Sequence, residues 1–252
     1  MRATLFVRPL EYSVDVSGER WFQGDKISGV LKMKNHGSEP IQKHVFKIIL
    51  ASGTYKKLKA KDSKGWETII EKELARDLTI APGLEVEFPF QFQMPESSRI
   101  TDKDGSLYLA YKDNDEDWPI GNIELVIDPK IIMKQFLGIF ENFVRFKVTQ
   151  IKFVKGMVEV KLNPPASRDY AHIDSLVLRM SEIDKCLNCE YLFNLRQLEM
   201  IGGAMVADKK NKLVLKKITQ KDFYMYGDSP NQEFIIESIT SAIAEVKSKI
   251  QL

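Results

Sequence analysis

The stretch LTIAPGLEVEFPFQFQMPESSRITDKDGSLYLAY, residues 78–111, decides how this chain is read. It opens on a Pro-Gly turn at Pro82-Gly83. Val86, Phe88, Phe90, Phe92 and Met94 then fall on one face, and Glu85, Glu87, Gln91 and Gln93 on the other. Successive side chains of a strand point to opposite faces. A strict period of two therefore marks a strand with one face in a core and one in water. Pro95 ends it, a polar loop follows, and Leu107–Tyr111 opens the next strand.

Working outward, the N-terminal half reads as strand after strand. Ser13–Val16 alternates, Gln23-Gly24-Asp25 is a turn, and Lys26–Met33 is a strand interrupted by Gly29. Asn35–Pro40 is a loop, Ile41–Leu50 a long strand, Lys56–Lys64 a basic connection and Trp66–Leu74 a further strand. Short strands at this spacing, with turn signals between them, predict an antiparallel sandwich. Asp128-Pro129 reads as a boundary, because a proline pushes the residue before it out of the helical region. Beyond it Ile132, Phe136, Ile139, Phe140 and Phe143 recur at helical spacing, which predicts a short linker helix. Strands resume at Val144–Phe153, Met157–Leu162, Ile173–Met180, Leu187–Leu198 and Leu213–Ile218.

These residues resemble a known family. The Pro-Gly turn, Phe-rich alternating strand, Met-Pro stop, Ser-containing loop and Tyr-bearing strand of 78–111 resemble the late strands of the arrestin N-terminal sandwich. WFQGDKISGVLKMKN, residues 21–35, resembles the arrestin-like Gly-Asp turn before a Gly-containing strand. The segment FVRFKVTQIKFVKGMVEVKLNPPASRDYAHIDSLVLRMSEIDKCLNCEYLFNLRQLE, residues 143–199, is similar to the second domain of the prokaryotic sporulation-control family, an arrestin-like branch. Ile173-Asp174-Ser175-Leu176-Val177-Leu178 stands where that family has its acidic LDELEL-type strand, with Ser175 at the second acidic position. The resemblance spans about residues 10–200. It implies an all-β fold of two consecutive immunoglobulin-like sandwiches, at 1–128 and 129–228, and a non-catalytic scaffold or adaptor that binds proteins. A role in sporulation control is implied with it.

The last segment, 229–252, reads differently. Ser229 and Gln232 have the spacing of a capping box, and Pro230 suits the first helical position. Ile235, Ile239, Ile243, Val246 and Ile250 then line one face of an amphipathic helix of about five turns. That apolar face must be covered, by its own domain or by a partner. Both charge signs on its polar face, Glu237 and Glu245 with Lys247 and Lys249, argue against a membrane-surface helix.

Composition bounds the rest. The chain has 252 residues, 29% charged and 44% apolar, and a net charge of +2. So balanced a charge does not point to nucleic acid or an anionic membrane as the main partner. No apolar run approaches the roughly 20 residues of a membrane helix, and no signal peptide is read at the N-terminus. Two cysteines are too few for a disulfide-stapled module, so a cytoplasmic protein with reduced thiols is expected.

Candidate chemistry is sparse. Cys186 and Cys189 form a lone Cys-x-x-Cys without the second pair a structural zinc needs. They read as ordinary thiols, with a metal shared across a dimer or a redox pair as alternatives. Asp113, Asp115 and Asp117, with Glu124 eleven residues after the first, have the ligand spacing of a calcium loop. Trp118 occupies the position where such a loop needs glycine for its turn, so an acidic surface turn is the competing reading. His36, His44 and His172 are scattered, and no phosphate-binding glycine loop or dinucleotide fingerprint occurs. No cofactor is called. Two lysine clusters, Lys56, Lys57, Lys59, Lys61 and Lys64, then Lys209, Lys210, Lys212, Lys216 and Lys217, could attract an acidic or phosphorylated partner over a Debye length of ~8 Å. Their competing role is a solvated surface that resists aggregation. Partner binding is thus expected at the helix face and at Lys56 and Lys57. A metal- or ligand-binding module at 113–124, or a homodimer pairing through an exposed edge strand, are the other readings.

Overall fold

The computed structural model describes residues 1–113, 118–201 and 204–247, without the side chains of 44, 197–201 and 204–209. The chain divides into two compact units, Met1–Asp128 and Pro129–Leu252.

The first unit is a sandwich of two sheets. One holds β1 (Arg2–Val7), β2 (Leu10–Val16), β4 (Lys26–Asn35) and β7 (Glu85–Gln93) in that order. The other runs β3 (Arg20–Phe22), β9 (Gly121–Asp128), β8 (Gly105–Asp113), β5 (Ile41–Thr54) and β6 (Trp66–Ile80). All pairings are antiparallel except β3 with β9. The alternation in 85–94 does what its period demands. Phe90, Phe92 and Met94 are buried, while Glu85, Glu87, Gln91 and Gln93 face water. Facing them across the core are Phe46, Ile48, Leu50, Leu107, Leu109 and Tyr111.

Three small features hold this sandwich in register. The Pro82-Gly83 turn closes with the Leu84 N–H donating to the Ala81 carbonyl at 3.0 Å, and Gly83 takes φ +72°, which only glycine adopts cheaply. Gly29, inside β4, lies so close to β2 that a Cβ there would meet the Asp15 carbonyl oxygen at 2.2 Å and Phe90 at 2.7 Å. Asn35 is fully buried, and its side chain bonds three backbone groups. Nδ2 donates to the carbonyls of Ile80 (3.0 Å) and Glu39 (2.8 Å), and Oδ1 accepts from the Gly37 N–H (2.8 Å). A buried amide is tolerated because these bonds replace the water it loses.

The second unit combines a sheet with helices. Its described residues form one five-stranded antiparallel meander: β10 (Lys147–Val154), β11 (Met157–Asn163), β12 (Ile173–Ile183), β13 (Cys186–Ile201) and β14 (Ala204–Thr219). A two-residue-wide ribbon of β15 (Tyr224–Tyr226) and β16 (Ser229–Pro230) follows the short α3 (Gln220–Phe223). Helices α2 (Ile131–Asn142) and α4 (Gln232–Ala244) belong to the same unit. They supply apolar surface to its core. Ile132, Met133, Phe136, Ile139 and Phe140 of α2 are buried, and Phe140 lies 5.2 Å from the ring of Phe146 and 6.4 Å from that of Tyr191 on β13. The sheet's inner face answers with Val158, Val160, Leu162, Leu176, Leu178, Met180, Leu187 and Phe193.

The start of α4 also differs from the sequence expectation. Ser229 and Pro230 belong to β16, so they cannot form the capping box. Asn231 is the N-cap, and its side chain accepts from the Phe234 N–H at 3.3 Å. Asparagine is as good a cap as serine, and the chain uses the one nearer the apolar face. The described helix is 13 residues long, shorter than the five turns expected.

Candidate functional site

Most of the residues singled out in the sequence turn out to be structural. Ile235, Ile239, Ile243 and Val246 are all buried, packed with α2, α3 and β14 in their own unit. The helix face expected to meet a partner is therefore covered internally, a correction with a simple cause. Among the described residues, α4 packs with α2, α3 and β14 and helps to cover the sheet's inner face. Ile250 lies outside the described residues.

Of the acidic loop 113–124, two of the four candidate carboxylates lie among the described residues. Asp115 and Asp117 lie outside the described residues. Asp113 and Glu124 are placed, and they diverge. Glu124 is directly opposite Tyr108 across β8 and β9, and Asp113 is five residues further along β8. Five residues of strand span about 17 Å, and an odd separation puts the two on opposite faces. Each carboxylate has a protein partner. Lys43 pairs with Asp113, whose Oδ1 is buried without a hydrogen-bond partner, and the Tyr55 hydroxyl donates to Glu124. Burial, reinforced by Glu124, pushes the Tyr108 phenol up to about 12.

Cys186 and Cys189 sit on β13 in unbroken register with β12, so residues three apart face opposite ways. Cys189 points into the core, where burial pushes its thiol up to about 12, and Cys186 is half-buried on the other side. The pair shares neither a disulfide nor a ligand position. Of the histidines, His36 Nε2 lies 2.7 Å from Glu11 at the surface, and burial lowers the pKa of His172. Lys56 and Lys57 are exposed on the one-turn α1 (Tyr55–Lys59), where Lys57 Nζ donates to the Lys64 carbonyl at 3.3 Å.

The outer face of the second sheet carries exposed apolar residues. Along β14 the inner-facing Val214 and Ile218 are buried, whereas Leu213 and Leu215 are 55% and 65% exposed on the other face. Leu213 pairs with the half-buried Leu192, and Leu215 with Glu190. Ile183, 59% exposed, ends β12 on the same side. Between them Met157, Ser181, Asn188, Glu190, Leu215 and Lys217 line an open groove of about 540 Å³. The sequence carried a signal for this surface. In KLVLKK, residues 212–217, three apolar residues run together, so one strand must be apolar on both faces.

With this geometry in hand, the chain can be set beside known proteins. No protein-family model matches the sequence, and no curated protein matches it. A solved structure does: the crystal structure of Spo0M, sporulation control protein, from Bacillus subtilis, with a TM-score of 0.69 over 95% of this chain and 99% of that one. This chain shares the arrestin-like fold of that protein. At 16% identity the likeness is one of fold. A Pseudomonas fluorescens alkylpurine DNA glycosylase, AlkC, solved with DNA containing an abasic site analog, overlaps 47% of this chain at a TM-score of 0.32 and 13% identity, too little to argue from. No described helix is long and apolar enough to cross a membrane.

Proposed function

We propose that the chain is a non-catalytic regulatory scaffold of the cytoplasm, which works by binding protein partners on the outer face of its second sheet. The observation that carries this is the exposure of Leu215 and Ile183 beside a groove, with Leu213 exposed on the same strand, on a sheet whose other face is packed. Apolar side chains exposed beside a polar-lined groove are what an interaction site presents. A whole-chain likeness in fold to a protein titled as a sporulation control protein supports a regulatory role. The fold itself does not fix the function, so the argument rests on the surface.

The test is affinity capture from the native cell with two full-length baits, the natural chain and a Leu213→Ser, Leu215→Ser double variant. A near-stoichiometric partner that the variant loses supports the reading. No partner with either bait, or the same partner with both, overturns it for this face. Light scattering across concentration checks the homo-oligomer reading, which requires mass to rise with concentration.

A further inference from the structure

We propose that a second groove, between the β11–β12 loop and Arg196 of β13, binds a small organic acid: a carboxylate carried on a compact apolar body. This groove shares no lining residue with the one beside Leu215 and Ile183.

The net charge of +2 hides a division between the two units. Met1–Asp128 has eighteen Lys and Arg against twenty-one Asp and Glu, whereas Pro129–Leu252 has nineteen against fourteen. The second unit is the cationic one, and its summed field favours an anion.

Within that unit the groove has a volume of about 650 Å³. Small-molecule sites run from roughly 300 to 1,000 Å³, with mostly apolar walls and a few convergent polar groups. Here the apolar walls are Pro164, Pro165, Tyr170 and Ile173. They are held in place before any ligand arrives. The two proline rings fix φ. The Ser167 N–H donates to the Pro165 carbonyl at 2.8 Å, and the Tyr170 ring meets the buried Phe146 edge-to-face, with centroids 5.3 Å apart. A wall already ordered costs little further entropy when it is bound.

Two guanidinium groups line the same groove. Arg196 Nε and Nη2 donate to one oxygen of Asp174, at 2.9 and 2.6 Å. That carboxylate fixes the arginine through one edge and leaves its Nη1–Nη2 edge to a ligand, on a side chain 64% exposed. Arg168 has no acid partner among the described residues. Asp169 beside it is exposed and does not line the groove.

Charge and shape select the occupant. Two guanidiniums and the one carboxylate of Asp174 leave a single positive charge, which one further carboxylate neutralises and a phosphate dianion overshoots. The planar fork of a guanidinium matches the two oxygens of a carboxylate. The prolines, Tyr170 and Ile173 then cover the apolar body.

The experiment is NMR titration of the full chain, read at the arginine Nε–H groups. The probes are 3-phenylpropanoate, its amide, acetate, phenyl phosphate and the blocked peptide acetyl-Ala-Glu-Ala-amide. 3-Phenylpropanoate is expected to shift Arg168 and Arg196 saturably, with a dissociation constant of about 1 mM or below. The amide, which lacks the charge, leaves both unmoved, and acetate, which lacks the apolar body, binds at least about fivefold more weakly. Arg168→Gln, at an exposed position that spares the fold, weakens binding by about tenfold. Four results overturn the proposal: no saturation by about 10 mM, equal binding of the amide, undiminished binding to Arg168→Gln, or acetate as tight as 3-phenylpropanoate, which would mean an adventitious ion only. Tighter binding of phenyl phosphate or of the peptide also overturns it, and would make the ligand a phosphate ester or an acidic peptide segment.

Discussion

Replacing Ile239 by alanine tests whether α4 belongs to its own unit. Ile239 is fully buried midway along the helix, between Ile235 and Ile243. The change removes three buried methyl or methylene carbons, worth about 0.8 kcal/mol each, or about 2.4 kcal/mol of transfer free energy. A cavity left uncollapsed adds about 24 cal/mol per Å³, so a residual hole of about 60 Å³ brings the total to about 4 kcal/mol. With a urea m-value of about 2 kcal/mol/M, the unfolding midpoint of the second unit should fall by roughly 1.2–2 M. Helical ellipticity is the readout, since α2 and α4 hold most of the chain's helix. All three tryptophans lie before residue 129, so their fluorescence follows the first unit separately. The exposed Glu237 changed to alanine is the control and should cost under about 0.5 kcal/mol. A midpoint shift below about 0.5 M for Ile239→Ala would refute internal packing of the helix, and would return its apolar face to the list of partner surfaces.

Further outcomes follow from other sites. Asn35→Leu leaves the Ile80 and Glu39 carbonyls and the Gly37 N–H without their partner, and should lower the stability of the first unit by about 2–4 kcal/mol in urea unfolding. Gly29→Ala drives a methyl into the Asp15 carbonyl, which as backbone cannot easily yield, and should cost about 1–3 kcal/mol or shift the β2–β4 register, visible as faster amide exchange there. Tyr111, whose phenol burial holds up to about 12 against 10 when unfolded, contributes stability that is complete below pH 10 and is lost as pH rises toward 12, because the unfolded chain releases the proton first. Tyr111→Phe should flatten that alkaline loss, measured by unfolding at pH 8, 10 and 11.5. Glu124→Gln should leave any effect of millimolar calcium on the melting temperature unchanged, since Glu124 faces away from Asp113. A calcium shift abolished by this substitution would restore the calcium-loop reading.

Local pattern determined a good deal by itself. The alternation from Glu85 to Met94, the Pro82-Gly83 turn and the helical spacing from Ile132 to Phe140 are legible because each depends on neighbours two to four residues away. Period and backbone geometry act at that range. The residues of 78–111 and 143–199 also carried the arrestin-like resemblance, and the fold agrees with it. Tertiary structure decided the rest. Whether the isoleucines of α4 face a partner or their own sheet depends on how the sheet's inner face is covered, and no residue within the helix records that. The spacing of Asp113 and Glu124 fits a metal loop on paper, yet a strand pair carries them to opposite faces. Cys186 and Cys189 are likewise separated by the pleat of β13. Ser229 and Asn231 could each cap α4, and the pairing of Ser229 with Tyr226 settles which one does. Leu213 and Leu215 are exposed because the fold turns their face of β14 outward, opposite the buried Val214 and Ile218. Strand order is set by contacts between residues far apart in the chain, and hydrophobic burial, being non-directional, leaves no trace of it in local sequence.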